Sequence, residues 1–249
     1  MRYVIALGAL IATAVSFPAA AYELLRVGPT CGNSQNLFWD PAVAHIDYSF
    51  LSLGYQQQAE QARLRWNQSV RLFHFDLGNG AFCNASDGVT SLGFSATDCG
   101  GADLGNGTLG LTRLRWDDKT GRLLDADTVF NVNSPLLQNL DIFRQVAMHE
   151  MGHVLGLDHS DACDANAGAG TLMRSFLDPG APRIEAPTAD DIAGANFIYA
   201  PKGGGAVPSG SNSCSIVPRR ASLWSSAALF IVPVLLLLGR LRCAQSREP

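Results

Sequence analysis

Three of the five histidines in the chain fall within residues 149–159, which read HEMGHVLGLDH. If this stretch begins as a helix, His149 and His153 are four residues apart and share a face, so both imidazoles can reach one metal ion. Gly156 allows the backbone to leave the helix sharply, and His159 can then return as a third ligand. Three neutral imidazoles leave one position of a tetrahedral zinc ion open for water, which is typical of catalytic rather than structural zinc sites.

Glu150 directly follows the first of these histidines and is predicted to be the general base. A carboxylate at this position can reach a zinc-activated water without being a ligand, take its proton and pass it to the leaving amine. The pattern therefore predicts a hydrolase with one catalytic Zn²⁺ and no covalent enzyme intermediate. A zinc site kept for stability alone would more naturally use cysteines and would not need this glutamate.

The motif resembles that of the metzincin peptidases, and Ser160 directly after His159 is similar to the matrixin (matrix metalloproteinase-like) branch. Leu172–Met173 resembles the Met-turn of that family, in which a methionine lies beneath the metal site. Residues 188–200, TADDIAGANFIYA, resemble the start of the C-terminal helix of matrixins and their bacterial relatives. The resemblance covers about residues 39–200, and it assigns supporting roles to Gly156, Ser160 and Met173.

The resemblance also implies a fold and a mode of substrate binding. The expected fold class is α+β and zincin-like, with a twisted mixed β-sheet packed on a central active-site helix and a C-terminal helix after the Met-turn. Proteins or peptides would be the substrates, bound in extended form along an antiparallel edge strand. By order in the chain, the candidate residues of that edge are Gly107, Leu109, Gly110 and Leu111.

Departures from the family pattern affect metals and latency. The histidines of the second, structural zinc of animal matrixins are incomplete here, so one zinc is expected, and His45 and His74 are interpreted as strand residues. Calcium is a further candidate cofactor, since relatives bind it and three aspartates lie in Gly/Asn-rich loops, but without a ligand-spaced motif these are interpreted as turn residues. The three are Asp76, Asp98 and Asp103. Residues 29–32, PTCG, resemble the family's latency motif, in which a propeptide cysteine binds the zinc, but the arginine of that motif is absent. A disulfide is therefore expected for Cys31 rather than a role in latency.

The predicted elements follow from apolar spacing. Helical spacing appears over Gln57–Phe73, and helices are predicted at about 140–155 and 189–198, the last introduced by Thr188 as its N-cap. Strands at 109–116 and 122–132 flank a hairpin signal, and alternation in the second predicts one buried and one solvated face. Residues 78–107, rich in Gly, Asn, Ser and Asp, are predicted to be long loops.

The ends of the chain carry targeting signals. Residues 1–21 have the pattern of a signal peptide, and 201–222 form a Gly/Pro/Ser linker after a metallopeptidase domain at 22–200. An apolar segment at 223–239 and a basic tail at 240–249 predict a membrane anchor. The tail also resembles the C-terminal sorting signals of bacterial exported proteins, and that resemblance implies processing or modification near Cys214 as the alternative. The protein is therefore expected outside the cell or at its surface. Its net charge of −4, without a basic run in the domain, argues against a nucleic-acid partner.

If the domain is exported, its cysteines are expected to form disulfides, because the compartment outside the cytoplasm is oxidising. Four cysteines allow three pairings. The short loop between Cys83 and Cys99 favours that pair, which leaves Cys31 with Cys163.

Two other functions stay open at this stage. The chain could belong to another metzincin branch, against which Ser160 argues. It could also be a surface-anchored binding or adhesion module on a peptidase fold with little or no turnover. An intact Glu150 argues against that second function, because a module without turnover has no need of this carboxylate.

Overall fold

A computed structural model describes residues 22–32 and 34–200. The predicted signal peptide, linker, membrane segment and basic tail lie outside the described residues, and the domain boundaries stay predictions. Within the described part of the chain, no helix is both long and apolar enough to cross a membrane.

The described domain contains a five-stranded sheet and three α-helices. The sheet has the strand order β3-β2-β4-β6-β5, and its neighbours are parallel except at the β5 edge, where β5 runs antiparallel to β6. A separate two-stranded pair joins β1 to β7. This arrangement confirms the α+β fold class with an antiparallel edge strand. The strands are β1 (Glu23–Leu24), β2 (Val43–Asp47), β3 (His74–Leu77), β4 (Val89–Ser95), β5 (Gly110–Trp116), β6 (Leu123–Asn131) and β7 (Leu157–Asp158), and the helices are α1 (Leu53–Ser69), α2 (Leu140–Leu155) and α3 (Ala189–Tyr199).

Helix α2 is largely buried, and its predicted bounds of about 140–155 are confirmed. It begins where the side chain of Asn139 accepts the N–H groups of Asp141 and Ile142, and it ends at Gly156, whose φ of 117° suits glycine. Two indole groups bind backbone oxygens of the helix: Trp66 Nε1 donates to Met148 O at 2.8 Å, and Trp39 Nε1 donates to Val154 O at 2.7 Å.

The first helix differs from its prediction at both ends. Helix α1 begins at Leu53 and ends at Ser69, because Val70 takes an extended conformation with φ −113° and ψ 125°. Val70 and Phe73 are buried as their spacing suggested, but in the segment that leads into β3. Helix α3 begins at Ala189, and Thr188 is its N-cap as predicted, through a capping box with Asp191.

Strand β6 corrects the prediction of one buried and one solvated face. Asp125, Asp127 and Asn131 are at most 2% exposed, because β6 lies between β4 and β5 and loops cover its polar face. These loops supply hydrogen bonds: Gly88 N donates to Asp125, and the Asn131 amide donates to the carbonyls of Gly105 and Thr108. Apolar and polar residues do alternate along β6, but both faces of the strand are buried.

Strand β4 lies inside residues 78–107, so the prediction that this whole stretch forms loops was wrong. The strand contains Gly93, where a Cβ atom would lie 2.4 Å from the ring of Phe82 in the covering loop. A disulfide between Cys83 and Cys99 joins the segments before and after the strand. That pairing confirms the sequence prediction.

The segment that contains β1 contacts the C-terminal end of α2. Strand β1 pairs with β7 in antiparallel register, and Leu25 N donates to Gly156 O at 2.9 Å. The second predicted disulfide, Cys31–Cys163, is present beside this pair. Cys31 therefore has no free thiol to occupy a metal site.

Candidate metal centre

The three motif histidines converge on one point. Helix α2 holds His149 and His153 on one face, and the turn through Gly156 and β7 brings His159 back toward them. One nitrogen from each ring lies within 4.8 Å of the others, and His153 Nε2 is 3.2 Å from His159 Nε2.

Backbone carbonyls fix the tautomers of two rings. Nδ1 of His149 lies 2.8 Å from Leu172 O, and Nδ1 of His153 lies 2.8 Å from Leu157 O. A carbonyl only accepts, so each Nδ1 carries the hydrogen and each Nε2 presents its lone pair. Burial lowers the pKa of all three imidazoles, most strongly that of His153. The cluster is therefore a set of neutral nitrogen donors, and it fits zinc.

Glu150 lies beside the cluster with its carboxylate against β5. The residue is 4% exposed, and burial raises the pKa of its carboxyl to about 7, against the lowering effect of a hydrogen bond from Thr112. The Thr112 hydroxyl donates to Glu150 Oε2 at 2.7 Å. The other oxygen, Oε1, is close to Gly110, where a Cβ atom would lie 2.6 Å away.

Met173 packs against the underside of the helix. It is 2% exposed, and a Cβ atom on Gly152 would lie 2.2 Å from its sulfur. The turn that carries Met173 is held by Asp191 of α3, whose carboxylate accepts the N–H groups of Leu172 and Met173, each at 3.2 Å. Since Leu172 O faces His149, Asp191 positions a histidine through this turn.

Ser160 is a buried connection rather than a group facing the cluster. Its N–H donates to Met173 O at 2.9 Å, and its hydroxyl lies 2.7 Å from that of Thr171. It therefore ties the segment after His159 to the turn at Met173.

The predicted substrate edge is only partly in a strand. Gly110 and Leu111 lie in β5, the free edge of the sheet, whereas Gly107 and Leu109 precede it. Leu109 O accepts Asn131 N at 2.9 Å, so this carbonyl points inward.

The predicted calcium candidates do not converge. Among the described residues, Asp76, Asp98 and Asp103 do not form a metal-holding group with one another or with other acidic side chains. Asp98 instead accepts the N–H groups of Gly100 and Ala102, as a turn residue does. His45 and His74 lie in strands, as expected.

Sequence reasoning missed two residues of this centre. Nothing in the sequence indicated that Thr112 contacts Glu150, because threonine is common in β-strands. Asp191 was visible as a helix-capping residue at the third position after Thr188, but its reach to the Met173 turn was not.

The sequence of the domain is similar to those of known proteins. The matrixin family matches residues 55–200. Metalloendoproteinase 1-MMP of Arabidopsis thaliana is 33% identical over 114 residues, which are 44% of this chain and 29% of that protein. Metalloendoproteinase 2-MMP of the same plant is 28% identical over 141 residues, which are 54% of this chain and 34% of that protein. The chain thus matches about a third of the length of these curated relatives.

A similarity to a solved structure is weaker. The GM1-bound form of the ECX AB5 holotoxin has a TM-score of 0.42 and 15% identity, covering 66% of this chain and 84% of that chain. A likeness of that size says nothing about function.

Proposed function

The chain belongs to the matrixin family, and from this we propose that it is an exported zinc endopeptidase that hydrolyses peptide bonds of proteins. The observation that carries the proposal is the convergence of three imidazole nitrogens within 4.8 Å of one another, with a buried glutamate beside them. Homology to metalloendoproteinases supports the same activity.

His149, His153 and His159 would hold the metal through the nitrogens that face one another. When bound, zinc lowers the pKa of water and polarises a carbonyl group. The carbonyls that bind Nδ1 of His149 and His153 hold both rings in the orientation and tautomer that a metal ligand needs.

Glu150 is the proposed general base. Burial raises the pKa of its carboxyl above that of an ordinary glutamate, which favours acceptance of a proton from the attacking water and its return to the leaving amine. The proposed substrate lies extended along β5, whose outer backbone groups face no other strand in the sheet. Gly110 and Leu111 would then contribute main-chain hydrogen bonds to the peptide.

Peptide cleavage by the purified protein tests the proposal. We expect the zinc-loaded protein to cleave members of a quenched-fluorescent peptide library, and a zinc chelator to abolish cleavage. Glu150→Ala should lower kcat by at least ~10³-fold while one zinc stays bound, because the variant loses the base but no ligand.

A matched control is Glu60→Ala, which removes a carboxylate on α1 that contacts Tyr48 and Arg63. This control should keep full activity. If the Glu150→Ala protein cleaves as fast as the wild type, the assigned base is wrong. If the zinc-bound wild type and the Glu60→Ala control cleave no peptide, the alternative of a binding module on this fold gains support.

Export and a bacterial-type C-terminal anchor are part of the proposal. Two disulfides within the described residues support an oxidising compartment. Fractionation of the native host, with antibodies against the domain, should find the protein outside the cytoplasm. Full-length protein in membranes would support an anchor at 223–239, and a shortened surface form would support a processed sorting signal. Recovery from the cytoplasm would reject both.

A further inference from the structure

The structure places the side chain of Thr112 between strand β6 and the carboxylate of Glu150. Its hydroxyl oxygen is 2.7 Å from Glu150 Oε2 and 2.9 Å from the hydroxyl oxygen of Thr128, which lies directly opposite on β6. Thr128 is 1% exposed and Glu150 is 4% exposed, so water does not compete freely for these groups.

The proton count fixes the direction of both hydrogen bonds. Glu150 must be ionised to act as a base, and an ionised carboxylate only accepts hydrogen bonds, so in that state the single hydroxyl proton of Thr112 goes to Glu150 Oε2. Thr112 is then the acceptor of the bond with Thr128, and Thr128 must be the donor. The two hydroxyls therefore form a chain that ends on one oxygen of the carboxylate.

The other oxygen has a different environment. Glu150 Oε1 is close to Gly110, where a Cβ atom would lie 2.6 Å from it. The absence of a side chain at Gly110 leaves room for this oxygen beside the outer strand. The carboxylate is thus held at one oxygen by Thr112, whereas Oε1 accepts no hydrogen bond from any described residue.

We propose that Thr112, supported by Thr128, is a positioning residue that holds Oε2 of Glu150 and leaves Oε1 as the oxygen that exchanges protons. The inference rests on the proposed peptidase function for its kinetic consequence. A charge-assisted hydrogen bond of this length restrains the carboxylate, and preorganisation of a general base affects the chemical step more than substrate binding.

Removal of the hydroxyl with retention of shape is the test. In the zinc-loaded, full-length protein, Thr112→Val should lower kcat by ~10- to 100-fold and change KM by less than about 3-fold. Thr112→Ser restores the hydroxyl and should recover most of kcat. A loss confined to KM, or the same loss in Thr112→Ser, would show that the strand contacts substrate and that the hydroxyl has no positioning role.

Thr90→Val is the matched control for a threonine-to-valine change in a strand. Thr90 is fully buried in β4, and its hydroxyl oxygen has no hydrogen-bond partner among the described residues. This variant should keep the wild-type kcat. Each protein is first checked for bound zinc and for cooperative unfolding.

A structural readout keeps the inference testable if no peptide is cleaved. Crystal structures of the zinc-loaded wild type, Thr112→Val and Thr112→Ser should show the Glu150 carboxylate rotated only in the valine variant. An unchanged carboxylate in Thr112→Val overturns the inference whatever the activity. Lack of cleavage by the wild type, with the expected rotation, would reject the peptidase function and leave the positioning contact in place.

Discussion

At the scale of single residues, the carboxylate of Asp191 lies beneath the turn that faces His149. It accepts two hydrogen bonds from that turn and two more from the N–H and hydroxyl of Thr188. Asp191 is 1% exposed, so its loss would leave buried donors without a partner.

We therefore expect Asp191→Ala to lower the free energy of unfolding by about 2–4 kcal/mol and to weaken zinc binding. Urea unfolding and a competition titration with a zinc chelator measure the two effects. Asp178→Ala, which removes an exposed turn carboxylate bonded to Gly180 N, should stay within about 0.5 kcal/mol of the wild type. Unchanged zinc affinity in Asp191→Ala would contradict the link to His149.

Asp125 makes stability depend on pH. Burial raises the pKa of its carboxyl from 3.8 to about 6, against the lowering effect of the hydrogen bond from Gly88. The folded state therefore holds the proton more tightly than the unfolded state. This stabilisation is complete below about pH 4 and is lost as the pH rises through about 6.

We expect the wild type to lose about 1–3 kcal/mol of stability across this window relative to Asp125→Asn, which cannot titrate. Urea unfolding of both proteins at several pH values gives the difference. Asp98→Asn is a control of opposite sign, because backbone hydrogen bonds lower the pKa of Asp98, so its contribution is lost as the pH falls. A pH-independent difference between wild type and Asp125→Asn would refute the assignment.

At the scale of elements, α2 and the turn at Met173 fit together only because Gly152 has no side chain. An alanine Cβ there would lie 2.2 Å from the sulfur of Met173 and 3.3 Å from the ring of Trp66. Intrinsic helix propensity favours alanine over glycine by about 1 kcal/mol, so the two effects oppose each other.

We expect overpacking to prevail in Gly152→Ala, with a net loss of about 1–2 kcal/mol in the free energy of unfolding. In the Met173→Ala background the same change should be neutral or stabilising, because the sulfur is gone. A double-mutant cycle measured by chemical denaturation gives the coupling. Additive effects of the two substitutions would show that the helix and turn do not compete for this space.

An element could be predicted from the sequence where the residues that define it lie close together in the chain. Helix α2 was predicted to its ends, since its apolar period and Gly156 are contained within one stretch of sequence. Strand β4 was missed because Ser91 and Gly93 resemble loop residues until Asp127 and Phe82 are brought against them. The three converging histidines were predictable for the same reason as α2, because their spacing lies within one short stretch of sequence. The Thr112–Glu150 contact joins residues 38 positions apart, and nothing in the sequence around either residue indicates it.

At the scale of the whole molecule, two disulfides close loops of very different size. Cys31–Cys163 spans 132 residues and Cys83–Cys99 spans 16. In the chain-entropy account, the longer loop restricts the unfolded state more.

Removal of Cys31–Cys163 by a double change to serine should therefore cost about 2 kcal/mol more than the same change at Cys83–Cys99. Denaturation of both variants, with the reduced wild type as reference, measures the difference. The first variant should also release zinc faster, because Cys163 follows closely on His159. Equal costs, with equal zinc release, would indicate that loop size and position do not matter here.

The pairing of β1 with β7 also bears on the order of folding. Strand β7 directly precedes His159 and pairs with residues near the start of the described chain, and pairings so distant in sequence form slowly. Some small zinc proteins fold only when the ion is bound, whereas here we expect most of the domain to fold before the third imidazole nitrogen is in place. We therefore expect a metal ion to bind late in folding, at a time set by the rate of chain folding rather than by the supply of metal.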